Sequence, residues 1–387
     1  MIMSVDYFNS ATVESMKNSL NRKWQVYPDD VIPLWLASPD FRIAPEIKEA
    51  LHKAVDAEDL YYNSDNKARE TMAEKINRVN RLKVSPDDIM VAQGVEPILW
   101  LAVMHACRAG EEVVMPNPMY NGFVHVMEGL GTKPVYWDLD FDEGYKFDEE
   151  RLKELISPKT KLLCLCNPHN PAGRVMTEKE LWAIADIAVD HKLKVFMDEL
   201  WEDIRFDRRE HVTLASLNPD IEALTATAWG VSKTYGVAGL YLGYMATTNR
   251  EMLAAFKREA HSLQRGSNTL ARAAAPVMLD GTLSWYREAL IKHLTKIRDI
   301  CYRRLNEIPG VTFPVVEGTY VPFPRFDYDI SSTELHEYLI KEARVALNPG
   351  SSFGPAGEGH MRICFATSEA IINEAINRME EALIKLG

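Results

Sequence analysis

Residues 161–200 read KLLCLCNPHNPAGRVMTEKELWAIADIAVDHKLKVFMDEL. An apolar run at 161–166, an amphipathic segment at 177–192 and a second apolar run at 194–200 predict strand, helix, strand. The same alternation extends on both sides. IMVAQG (89–94) leads into EPILWLAVMHAC, EEVVMPNP (111–118) into NGFVHVMEGLG, and KPVYWDLD follows at 133–140. LTATAW (224–229) and LGYMATT (242–248) add two more runs, which makes seven. Such runs, apolar throughout, suit a mostly parallel sheet covered by helices on both faces, so the fold class is α/β. Long helical patterns take over at 250–281 and 284–308, and the tail mixes short strands with helices. The expected division is a large domain over 46–284 and a small α+β domain made of 1–45 and 285–387.

Composition excludes several functions. The 387 residues are 47% hydrophobic and carry a formal charge of -12 with no basic stripe, so nucleic acid is not an expected partner. Five cysteines are few and odd in number, and two of them alternate inside KLLCLC, which points to reduced, buried thiols and a cytoplasmic address. The start of the chain does not read as a signal peptide, and nowhere do 18 uncharged apolar residues run together, so no membrane partner is expected. There is no GxxxxGK[ST], GxSxG or HExxH, and the ten histidines lack ligand spacing, so no metal site is expected. His169, between two Asn-Pro pairs, reads as structural.

Open parallel sheets bind ligands beyond the carboxyl ends of their strands. Gly94 follows the IMVAQ run and opens a helix at Val95 and Glu96, whose free amides form an anion cup. Asn167 and Asn170 follow KLLCLC, Asp198 ends KVFM, and Lys233 follows TATAW. Cup, amide, carboxylate and amine together make a candidate pocket, and a lysine between two apolar runs is not an ordinary surface lysine.

PLWLASPDF (33–41), PNPMYNGF (116–123), NPHNPAGRV (167–175), DELWEDIRF (198–206), SKTYGVAGLYLGY (232–244) and PGSSFGPAGEGHMR (349–362) occur in one order along the chain. Through them the sequence resembles the fold-type I pyridoxal phosphate enzymes of the class I/II aminotransferase family, nearly end to end. NRKW (21–24) and NPHNPAGR are most similar to the branch holding cystathionine beta-lyase-like carbon-sulfur lyases. The resemblance implies pyridoxal 5'-phosphate as cofactor, amino acid and 2-oxo acid as substrates, and a homodimer with shared active sites. It makes Lys233 the residue whose amine condenses with the cofactor aldehyde and then moves the substrate proton. Asp198 would pair with the ring nitrogen, Asn170 donate to the ring oxygen, and Tyr120 stack on the ring. Gly94, Val95, Glu96 and Ser232 would hold the phosphate. Arg362 would clamp the substrate carboxylate as a planar fork, with Asn170 and Ser38 beside it.

Departures from the family pattern are equally specific. Eight residues past the lysine the family commonly carries a phosphate-binding arginine, and Tyr241 stands there. Trp201 replaces a common tyrosine, so its indole donates to the ring oxygen without exchanging a proton. Glu96 brings a carboxylate to the phosphate cup. Tyr61 or Tyr62 would reach the phosphate of a partner subunit, with Tyr62 preferred. Aminotransferase is the leading function and beta-elimination of a thiol from a substrate such as cystathionine the second. A non-catalytic binding or regulatory protein, motivated by Glu96, Tyr241 and Trp201, is the third.

Overall fold

The computed structural model describes residues 7–58, 60–263 and 266–387. Its centre is a seven-stranded sheet of β1 (Ile89–Ala92), β2 (Glu112–Asn117), β3 (Lys133–Asp138), β4 (Thr160–Cys166), β5 (Lys194–Asp198), β6 (Thr225–Gly230) and β7 (Gly243–Ala246). The spatial order is β1-β7-β6-β5-β4-β2-β3. Only β7 runs against its two neighbours, and the other pairings are parallel. Strands β1, β6 and β7 are almost wholly buried, which explains their runs of apolar and small residues free of charged side chains.

The crossover between β4 and β5 is the helix Glu178–Asp190, started by a capping box in which Thr177 accepts from Glu180 N and Glu180 answers to Thr177 N. Its apolar side, Leu181, Ile184, Ala185 and Ala188, is fully covered. Each such leucine or isoleucine contributes about 1.5–3 kcal/mol on burial.

One local expectation is corrected. The pattern read over 250–281 is two helices, Arg250–Leu263 and Thr269–Leu279, the second capped by Asn268 accepting from Ala271 N. Gly266 between them has φ +78°, which a continuing right-handed helix does not allow. Lys233 lies in a one-turn helix, Ser232–Tyr235, closed by Gly236 in the left-handed region at φ +70°.

The N-terminal segment joins elements from the far end of the chain. Ile32–Pro33 pairs in parallel with Val345–Ala346, and Cys364 N donates to Leu34 O at 2.7 Å. Helices Ser284–Leu305 and Glu369–Leu386 pack over this region. One continuous apolar core runs from there beneath the sheet, and a smaller one lies around Trp137, Phe147 and Leu165. Among the described residues no helix is long and apolar enough to cross a membrane.

Candidate active site

Five strand ends deliver the site. β1 leads through Gly94 to the helix Glu96–Ala106, β2 to Tyr120, β4 to Asn170, β5 ends on Asp198, and β6 leads to Ser232 and Lys233. Together with Trp201, Tyr241 and Arg362 they line one cavity of about 290 Å³. Gly94, Val95 and Glu96 border it as well. Eleven lining positions thus trace to residues singled out in the sequence, and the rest were missed: Leu36, Ala37, Gln93, Pro97, Leu99, Gly122, Phe123, Phe196, Leu200, Ala238 and Leu242. Phe196 had a signal, since it precedes Asp198 by two in a strand and so shares its face.

Lys233 Nζ donates to Ala37 O at 3.0 Å and sits 5.7 Å from the Trp201 ring centroid. Burial, and then the Arg362 charge, pull its pKa down from 10.5 to about 8, so the neutral amine is accessible near physiological pH. Asp198 is buried at the end of β5, and one of its oxygens accepts from Leu200 N at 2.9 Å. Burial pushes its carboxyl up to about 7, with Leu200 N and Lys233 opposing the shift. A carboxyl in that position is short of a cationic partner.

Arg362 is also buried, and desolvation lowers its guanidinium to about 10. It donates to Asn170 Oδ1 at 3.3 Å and Trp35 O at 3.0 Å, lies 4.7 Å from the Phe353 ring, and leaves Nε without a partner. No carboxylate pairs with it among the described residues, so this fork suits an incoming anion. Tyr120 stands at the entry of the helix Asn121–Gly129, its hydroxyl pKa raised by burial and by Glu96. Gly122 makes room for that ring, because a Cβ there would lie 2.5 Å from Tyr120 Cε1 and 3.1 Å from Glu96 Oε2.

The cup at Gly94 depends on two glycines. Gly94 has φ +110°, and a Cβ on Gly243 of β7 would lie 2.4 Å from the Gly94 carbonyl carbon. Tyr241, at φ +50° and 64% exposed, borders the same cavity, so the position of the usual arginine is filled by a neutral side chain at the mouth.

Two predicted site residues lie outside the cavity. Ser38 borders the adjoining groove, and its hydroxyl accepts from Asn21 Nδ2 at 3.0 Å, whereas the carbonyls of Trp35 and Ala37 are the groups facing the site cations. Tyr62 is fully solvent-exposed beside Asp65 and Arg69, and Tyr61 is 74% exposed. Neither tyrosine borders the cavity of its own chain. His169 is wholly buried against Phe147, with Nδ1 accepting from Ala172 N and its pKa held near 3 by burial. It borders no part of the cavity.

Behind Asp198, Glu199, Glu202 and His211 converge. Lys75 pairs with Glu202, Asn80 donates to Glu202, and Thr213 and Trp229 donate to Glu199 at 2.8 and 2.9 Å. These contacts make the cluster a buried ion network under β5 and β6.

Fold and site define a pyridoxal phosphate enzyme. The family described as aminotransferase class I and II matches residues 30–379, and the chain belongs to it. It is 33% identical over 360 residues to aspartate aminotransferase of Pyrococcus abyssi, covering 92% of each chain. It is 31% identical over 363 residues to cystathionine beta-lyase PatB of Bacillus subtilis, covering 92% of this chain and 93% of that one. Cystalysin from Treponema denticola, whose solved structure contains a pyridoxal 5'-phosphate cofactor, aligns with TM-score 0.92 at 26% identity over 97% of this chain and 99% of that one.

The residues present fit this cofactor. A buried amine of lowered pKa suits its aldehyde, and a buried carboxyl of raised pKa suits its ring nitrogen. A helix start kept open by Gly94 and Gly243 suits its phosphate.

Proposed function

We propose that the protein transfers the amino group of an L-alpha-amino acid to a 2-oxo acid. The observation that carries this is the grouping of Lys233, half-buried, with the buried Asp198 and Arg362 around one cavity. Bound there, pyridoxal phosphate supplies an aldehyde that takes up amines and a ring that accepts electrons from the substrate alpha carbon.

The chain's own residues supply the rest. Arg362 Nη1, Nη2 and the unpartnered Nε grip the substrate alpha-carboxylate and fix the alpha carbon beside Lys233. Lys233 Nζ, neutral near pH 8, takes the alpha proton. Asp198 would keep the ring nitrogen protonated, Asn170 and the Trp201 indole would donate to the ring oxygen, and Tyr120 would stack on the ring. The amides of Val95 and Glu96 and the Ser232 hydroxyl hold the phosphate, and the Glu96 carboxylate turns toward Gly122 and Tyr120.

The wider reading includes a homodimer in the cytoplasm, with the small domain formed by 1–45 and 285–387 and the large one by 46–284. Tyr62 is assigned to a partner's phosphate. Support for that is the exposure of Leu60, Tyr61 and Tyr62 on a segment whose backbone accepts from Thr269 Oγ1 at Tyr61 O and from Arg272 Nη1 at Asn63 O. All five cysteines are buried and unpaired, in keeping with a reducing compartment.

Beta-elimination is the second reading, favoured by the similarity to PatB. Incubation with cystathionine or cysteine, with no oxo acid added, decides between them. The aminotransferase reading expects at most one turnover of product per site until a 2-oxo acid is supplied; pyruvate formed over many turnovers rejects it.

A further inference from the structure

The NRKW motif has no place in the chemistry above, and the structure connects it to Arg362. Lys23 Nζ pairs with Asp40 Oδ2 at 2.7 Å, both side chains fully buried, and Trp24 Nε1 donates to Asp40 Oδ1 at 2.8 Å. The Lys23 carbonyl accepts from the Trp35 indole at 3.2 Å. The Trp35 carbonyl accepts from Arg362 Nη2 at 3.0 Å. A continuous chain of contacts therefore runs from a buried ion pair to the guanidinium.

The segment it holds is pinned at both ends. Leu34 N donates to Ala346 O at 2.8 Å and its carbonyl accepts from Cys364 N, while Asp40 N donates to Ala366 O at 2.9 Å. Between these anchors the carbonyls of Trp35 and Ala37 accept from the two cations of the site, Arg362 and Lys233. Main-chain anchors alone fix the ends. The Trp35 indole and the Asp40 carboxylate fix the interior, where a small rotation of the 35 peptide would turn its carbonyl away from Arg362.

We propose that Trp35 is a positioning residue for Arg362, seated by the Lys23–Asp40 pair, and that it sets the affinity for the carboxylate of the substrate. The inference rests on Arg362 binding that carboxylate. Among the described residues Arg362 has no acidic partner to hold it, and its other contacts include Asn170 Oδ1 and the Phe353 ring, so the Trp35 carbonyl bears much of its orientation. A guanidinium free to swing loses the paired geometry that makes a carboxylate fork selective.

The test uses the cofactor-loaded enzyme and Trp35→Phe, which removes one N–H and keeps a ring in place. Losing a single hydrogen bond corresponds to about three- to tenfold. KM for the amino acid and for its 2-oxo acid rises by that factor while kcat stays within about twofold. The dissociation constant of an unreactive 2-methyl amino acid, read from the cofactor absorbance, rises in parallel. The decarboxylated amine of the same amino acid reacts with wild type and variant equally fast. Asp40→Asn shifts the same ratio further, and Trp35→Phe alone decides if that variant does not fold. Equal losses toward amine and amino acid, or no loss toward the amino acid, overturn the positioning role. A wild-type enzyme indifferent to the carboxylate would refute the Arg362 assignment itself, and the inference with it.

Discussion

Lys233 Nζ hydrogen-bonds the carbonyl of Ala37 at 3.0 Å, so the lysine that follows β6 is held by a segment nearly two hundred residues earlier in the chain. Desolvation of the amine and then the Arg362 charge pull its pKa down to about 8, and a carbonyl cannot neutralise an ammonium. The neutral amine is the nucleophile. The rate of cofactor capture by cofactor-free protein therefore rises with pH up to about 8 and flattens above it, as followed by absorbance in rapid mixing. A midpoint above pH 10 would show a solvated lysine.

The same depression predicts a stability effect. A lysine whose folded pKa lies below its unfolded one opposes folding fully below about pH 8, and the penalty fades as pH rises toward 10.5. Cofactor-free Lys233→Met is therefore more stable than wild type at pH 7, by on the order of 1–3 kcal/mol. Denaturant midpoints measured from pH 7 to 10.5 should converge.

Asp198 carries the opposite sign. Its folded pKa, raised from 3.8 to about 7, makes no demand below pH 4, weakens the cofactor-free fold progressively as pH climbs from about 4 to 7, and costs its full amount above 7. A cationic ring nitrogen reverses that. Removing one partner of a buried pair costs about 3–5 kcal/mol. Asp198→Ala accordingly lowers kcat by on the order of 10²–10⁴, while the variant still captures cofactor at Lys233. Steady-state rates and the absorbance of the loaded variant check both halves.

Gly243 keeps the phosphate cup open. A methyl group there would lie 2.4 Å from the Gly94 carbon and 2.5 Å from its oxygen, so the cup must move. Overpacking of this kind costs about 1–3 kcal/mol. Gly243→Ala weakens cofactor binding about 5- to 100-fold in equilibrium titrations, with a fold that still melts cooperatively.

Tyr241→Arg should do the reverse. Position 241 borders the cavity in a left-handed backbone that burdens arginine no more than tyrosine. A charged hydrogen bond to the phosphate is worth about 1.5–3 kcal/mol, so dialysis removes the cofactor about tenfold or more slowly from the variant. Unchanged retention would mean that the side chain cannot reach the phosphate.

The sheet was legible because most of its strands are buried on both faces and read as runs of apolar and small residues, and because a parallel sheet puts chemistry at strand ends. Gly94, Asn170, Asp198 and Lys233 each follow such a run, and all four border one cavity. What stayed hidden comes from sequence-distant contact. Nothing local announces that Ala37 and Trp35 offer carbonyls to Lys233 and Arg362, since main-chain acceptors leave no mark on residue identity. The Ser38 hydroxyl is engaged by Asn21, another partner distant in sequence. Phe196 and Gly122 act through shape, one by lying two residues before Asp198 and the other by lacking a Cβ. The helix break near 266 was readable only as a glycine among polar residues, a weak signal inside a long periodic stretch.

The covalent attachment point tests the whole account. Borohydride reduction of the cofactor-loaded protein, followed by proteolysis and peptide mass mapping, should place the pyridoxyl adduct on Lys233. An adduct on any other lysine, or an unmodified Lys233 peptide, would contradict it.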